Sequence, residues 1–238
     1  MIQRLRCFLV IATIAMITGC VGPVPKIDSS PSALTNVKTI AVIRSPEPKI
    51  YTVANFGHPG MAFGLVGGLV VAADQNSKQN RLTEAIKEKN TEPTSGSLAE
   101  SIANQLTRRG FEASVEEGPW EESDGKFKLD FEKITSTADV VLVVAPTIVG
   151  FIATGALSDY VPTLAAIVTL LGKDRKEPIY RGFHVAGWKP KADGWRHSSP
   201  TVTFSNFDAL MSDPAKTAVT LSDAASRIAV TVAEDLKR

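Results

Sequence analysis

The chain has 238 residues, 44% of them hydrophobic, with 26 basic against 25 acidic side chains and two cysteines. A formal charge of +1 gives no excess of basic residues to argue for nucleic acid, and two cysteines cannot build a disulfide framework or a multi-thiolate metal site.

Met1 to Arg6 carries Arg4 and Arg6, Cys7 to Ile17 is almost wholly apolar, and Ile17-Thr18-Gly19-Cys20 follows. The apolar run is too short to span a bilayer as a helix and ends in small residues, so residues 1–19 read as a signal peptide. Ile17-Thr18-Gly19-Cys20 resembles the bacterial lipobox, which implies cleavage before Cys20 and diacylglyceryl and palmitate attachment to its sulfur. Val21 follows in place of Asp, which by resemblance to lipoprotein sorting in enteric bacteria implies the outer membrane, with the domain facing the periplasm. Cys7 leaves with the signal and Cys20 is acylated, so no thiol remains in the mature chain for redox or metal chemistry. Each buried acyl methylene contributes about 0.8 kcal/mol, so the acyl chains hold the protein on a membrane without a spanning helix.

Residues 20–36 hold Pro23, Pro25 and Pro31 without apolar periodicity and read as a flexible, lipidated tether. Residues 37–238 then form one periplasmic domain, starting with Val37 to Ile43 as a buried strand. Residues 44–96 form an insertion before the next strong element. Within it, Ile50 to Ala73 is free of charge for 24 residues, and Gly60, Gly64 and Gly68 recur every fourth position. The stretch lacks GxGxxG and GxxxxGK, so it is no phosphate loop. Gly57-His58-Pro59-Gly60 leaves too few apolar residues after it for a crossing helix. A helix from about Met61 to Lys89 remains, its polar second half extending into water. Its glycines permit close packing, either within the chain or, as a glycine zipper, between copies or against a membrane.

SLAESIANQLTRRGF, residues 97–111, predicts a helix with a Ser97/Glu100 capping box, an apolar stripe of Leu98, Ile102 and Leu106, and a stop at Gly110. Glu112 to Val115 follows as a strand, and 127–136 as a helical turn. Ala138 to Ala145 has the uninterrupted valines of a strand buried on both faces. Leu164 to Leu171 and Ile179 to Trp188 flank a polar turn and predict an antiparallel hairpin. Asp213-Pro214 opens a closing helix, with Ala218, Leu221, Ala225, Ile228, Val232 and Leu236 on one face. The order strand, helix, strand, helical turn, strand, hairpin, helix is that of an α+β layered domain.

VKTIAVI, SLAESIANQLTRRGFEASV, ADVVLVVA, the LAAIVTLL and IYRGFHVAGW pair and the closing helix together resemble the small α/β module of envelope lipoproteins. That group includes the TolB N-terminal domain, CsgG and LpoB; the resemblance covers about half of the mature chain and departs from it at the insertion. It implies an assembly or regulatory protein.

Catalytic patterns are not found. His58, His184 and His197 are scattered, with no HExxH, and no GxSxG elbow occurs. Glu116, Glu117, Glu121, Glu122 and Asp124 lack the spacing of a calcium loop and read as a solvated turn. No cofactor is called for. The reading is therefore a non-catalytic module that binds envelope proteins or itself; the alternative is a monomeric lipoprotein whose Trp120, Trp188 and Trp195 line a groove for a sugar or peptide.

Overall fold

The computed structural model describes residues 25–58, 64–89, 93–123 and 126–237. Cys20 and Gly60 lie outside these residues. The class is mixed α+β.

Along the chain come α1 (Pro31–Leu34), β1 (Thr39–Arg44), β2 (Thr52–Asn55), α2 (Gly64–Lys89), α3 (Thr94–Arg108) and β3 (Glu112–Glu117). They are followed by β4 (Trp120–Ser123), β5 (Lys126–Leu129), a 3-10 turn at Phe131–Lys133, and the long β6 (Val140–Ala153). β7 (Val161–Leu171), β8 (Pro178–Ala186), β9 (Trp195–Ser198), α4 (Phe207–Ser212) and α5 (Pro214–Asp235) complete the chain. The sheet runs β3-β1-β6-β7-β8-β9, with β2 also on β6. β1 is parallel to β3 and β6, and the β6-β7-β8 run is antiparallel.

Alternation along each strand sends one set of side chains to a helical layer and the other to the opposite face. On the helical side Ile40, Val42, Leu142, Val144, Leu164 and Leu170 meet Leu98, Ile102 and Leu106 of α3 and Leu221, Ile228 and Val232 of α5. On the other side Ala41, Ile43, Val141, Val143 and Leu171 pack with Leu129 and Trp120 from the β4-β5 ribbon. β6 is thus buried on both faces along Val140–Val144, as its valines require.

Several expectations change. Residues 127–136 hold β5 and the 3-10 turn, because Phe127 pairs across the ribbon with Glu122. The capping box does not start α3. The helix begins at Thr94, and the acceptor for its first amides is the Glu47 carboxylate, 3.2 Å from Thr94 N and 2.9 Å from Ser95 N. Glu100 pairs instead with Arg44 at 3.2 Å. At the other end Gly110 adopts φ +88° and Phe111 folds back, its amide 3.2 Å from the Leu106 carbonyl. The polar half of α2 does not extend into water. It carries Leu82 and Ile86 into the core and lies antiparallel on β2, with Thr83 accepting from Tyr51 N and Gln75 donating to the Asn55 carbonyl. Near the start of the helix, by contrast, Leu69 and Val70 are 65% and 62% exposed. Two or three buried positions at helical spacing outweigh the average polarity of a segment.

The stretch read as a tether is partly folded. Ile27 pairs with Arg181, and Leu34 is 1% exposed in the main core. Burying a leucine is worth about 1.5–3 kcal/mol. A chain beginning at Asn36 should therefore unfold in denaturant with about that much less stability than one beginning at Pro25; equal stabilities would show that the segment only rests on the surface.

Candidate functional site

β1 and β2 lie beside the same edge of β6, but not continuously. β1 pairs with Val140–Val143 and β2 with Gly150–Ala153, and no strand among the described residues pairs with the six residues between on that edge. The cause is in the connecting sequence. Pro46 and Pro48 have no amide proton to give a ladder, so the Arg44–Tyr51 connection bows away from β6. Glu47, between the prolines, fixes the bow from the helical side through the α3 amides, the Ser95 hydroxyl at 2.7 Å and the Tyr51 hydroxyl. On its other edge β6 stays paired with β7 through this stretch, with a bulge between Pro146 and Ile148 that leaves Thr147 out of the register. β2 rejoins at Gly150, where any Cβ would lie 2.0 Å from the Thr52 carbonyl oxygen and φ is +156°.

A groove of about 580 Å³ opens between the bow, the bulge and the β4-β5 ribbon. Pro46, Pro48, Ile50, Trp120, Phe127 and Pro146 supply apolar walls. Three of its polar side chains are already engaged. Trp120 Nε1 donates to the Arg44 carbonyl at 2.7 Å, Thr147 Oγ1 to the Ala165 carbonyl at 3.2 Å, and Lys49 pairs with Glu122 beside the Phe127 ring. The groove lies where β1 ends between β3 and β6, the position at which open sheets leave a crevice. Such walls suit apolar side chains, and the β6 edge suits an extended backbone. A larger recess of about 830 Å³, between the ribbon and the Gly172–Lys176 turn, is lined mainly by charged side chains.

The three tryptophans do not share one wall. Trp120 lines the groove, Trp188 packs on Phe56 with ring centres 5.3 Å apart, and Trp195 packs on Phe183 at 5.6 Å. Gly64 and Gly68 fall in the first turns of α2. Of the acidic group, Glu117 pairs with Arg44, Glu121 with Lys133 and Glu122 with Lys49, each a surface ion pair. Among the described residues no group of His, Cys, Asp and Glu has the arrangement of a metal site. No described helix is long and apolar enough to cross a membrane.

A second polar constellation lies under the sheet end near the N-terminal segment. Tyr180, Gly182 and His184 alternate onto one face of β8, and the missing side chain at Gly182 lets the Tyr180 hydroxyl reach His184 Nε2 at 2.7 Å. A Cβ at Gly182 would lie 1.9 Å from that hydroxyl. His184 Nδ1 meets Thr231 Oγ1 at 2.8 Å, and Tyr180 Oη meets Asp235 Oδ2 at 3.1 Å. Burial, reinforced by the Arg196 and Lys26 charges, pushes the His184 imidazole down to about 3, so it is neutral at pH 7. Burial and the Asp235 carboxylate push the Tyr180 phenol up. From sequence His184 was legible only as a strand histidine.

No protein family is matched by the sequence, and no curated protein matches it. Among solved structures it is similar to the PelC dodecamer from Paraburkholderia phytofirmans (12% identity, 91% of this chain and 100% of that one, TM-score 0.40). It is also similar to a DUF330 protein from Xanthomonas campestris (8%, 88% and 90%, 0.40). A third match is a protein from Caulobacter crescentus provisionally described as a lipoprotein (12%, 62% and 83%, 0.34). At identities below 15% and TM-scores below 0.5, nothing is carried from them to this chain.

Proposed function

We propose that this is a lipid-anchored envelope protein that works without catalysis, its domain holding an extended, apolar segment of another envelope protein in the groove beside β6. The observation that carries this reading is the gap in the sheet: among the described residues, six residues of β6 have no strand partner on one edge, where the adjoining walls are proline, isoleucine and aromatic. In this reading the lipobox at Cys20 supplies the outer-membrane anchor. The likeness of the core pattern to the assembly lipoproteins supports a partner-binding role. Self-association is a second reading, favoured by the exposure of Leu69 and Val70 beside Gly64 and Gly68.

Ile50 tests the first reading, because it lines the groove yet is 51% exposed. Ile50→Glu should weaken capture of the partner from solubilised envelopes at least about tenfold, or about 1.4 kcal/mol. Its unfolding free energy should stay within about 0.5 kcal/mol of the parent. Undiminished capture by a folded variant would remove the groove from the account.

A further inference from the structure

Thr231, His184, Tyr180 and Asp235 form a continuous line of contacts, independent of the groove. Ile228 O meets Thr231 Oγ1 at 2.9 Å, Thr231 Oγ1 meets His184 Nδ1 at 2.8 Å, His184 Nε2 meets Tyr180 Oη at 2.7 Å, and Tyr180 Oη meets Asp235 Oδ2 at 3.1 Å. Each of these four contacts needs one proton. A threonine hydroxyl, a neutral imidazole and a phenol supply three.

With Asp235 ionised, Tyr180 must donate to it, since a carboxylate only accepts. Tyr180 Oη then accepts from His184 Nε2–H, the bare Nδ1 accepts from Thr231, and the contact to the Ile228 carbonyl is left without a proton. With a proton on Asp235 the direction reverses. The carboxylic acid donates to Tyr180 Oη, Tyr180 donates to His184 Nε2, His184 Nδ1–H donates to Thr231, and Thr231 donates to Ile228 O. All four contacts are then made, and the added proton is the only atom gained.

We propose that this line is a proton-binding site, in which a proton taken up at Asp235 reverses three hydrogen bonds, completes a fourth to the Ile228 carbonyl and moves the His184 proton from Nε2 to Nδ1. His184 is fully buried, whereas Asp235 borders a cleft of about 550 Å³ and so is where a proton enters. The charges facing Asp235 are Arg196 on β9, 3.4 Å away and shared with Glu234, Lys26 and Asp28 on the N-terminal segment, Arg109 after α3, and Lys237 beyond α5. That segment is fastened at the same point. Ser29 Oγ donates to the Asp235 backbone carbonyl and Ile27 pairs with Arg181. The site therefore joins the charge state of the cleft, where the chain enters the domain, to a ring inside the core.

The test is nitrogen NMR of the His184 ring during an acid titration of the folded protein, with the Asp235 carboxyl carbon followed in parallel. The expected result is a protonated Nε2 at high pH that gives way to a protonated Nδ1 with the midpoint of the Asp235 titration. Tyr180→Phe should uncouple the two titrations, leaving one His184 tautomer throughout. If that variant does not fold, Asp235→Ala supplies the same decision: with the carboxylate gone, Tyr180 donates to Nε2 and Nδ1–H persists at every pH. An unchanging tautomer across the Asp235 titration of the parent, or a pH-dependent exchange that survives in Asp235→Ala, overturns the proposal.

Discussion

Glu47→Ala is expected to destabilise the domain by about 2–4 kcal/mol in equilibrium unfolding and to close the groove. Its carboxylate accepts from Thr94 N, Ser95 N, the Ser95 hydroxyl and the Tyr51 hydroxyl, joining the proline bow to the start of α3. Losing an N-terminal cap alone costs about 0.5–2 kcal/mol. The remainder comes from the Tyr51 hydroxyl, whose ring is 1% exposed and which would keep only its longer 3.5 Å contact to Thr94 Oγ1, because weakening a buried donor's hydrogen bonding costs up to about 1–3 kcal/mol. Glu47→Gln keeps an acceptor and should lose about half as much. Partner capture should fall with Ala by more than stability explains, since the bow that forms one wall is released. A stability change below about 0.5 kcal/mol, or intact capture, would show that the bow holds its shape without this residue.

Acidification from pH 7 to pH 5 is expected to cost about 2 kcal/mol of stability through His184. The unfolded chain takes up this proton near the ordinary value of 6.5, whereas the folded protein resists it to about 3. Between those values the unfolded state binds more protons, so stability falls as pH drops, by about 1.4 kcal/mol per unit below 6.5. Asp139, held low by the amides of Lys38 and Thr39 and by the Thr39 hydroxyl, acts in a different window. Its folded value lies below the ordinary 3.8, so its contribution is complete above that value and is lost only as pH falls through the folded one. His184→Gln should flatten the profile between pH 7 and 5 while leaving the loss at lower pH. Equal slopes in both proteins would contradict the burial of a neutral imidazole.

How far the sequence could be read follows from which interactions are local. Leu98, Ile102 and Leu106 mark α3 by spacing alone, and the closing helix is announced by Asp213, whose Oδ1 caps the Lys216 amide at 3.0 Å. The hairpin is legible because β7 and β8 are runs rich in β-branched and aromatic residues either side of a polar turn. The start of α3 was not, since its cap comes from Glu47, 47 positions away from Thr94, and a local capping box at Ser97 competes for the same reading. β2 has only four residues and pairs with a distant strand. Pro46 and Pro48 bar a ladder strand by their missing amide protons, but only the sheet shows that the interruption lies beside an open edge. The three tryptophans are individually conspicuous and spatially separate. The apolar count of the insertion pointed to its first half as the packed part, whereas Leu82 and Ile86 in the polar half reach the core.

Photocrosslinking in native membranes tests the central claim most directly. A photoreactive side chain at Ile50 or Thr147, inside the groove, is predicted to form a covalent adduct with one envelope protein through an apolar stretch of that protein. The same group at Val219, 66% exposed on α5, should not. Adducts from Val219 with none from Ile50 or Thr147 would contradict the account and place the binding surface on the helical face.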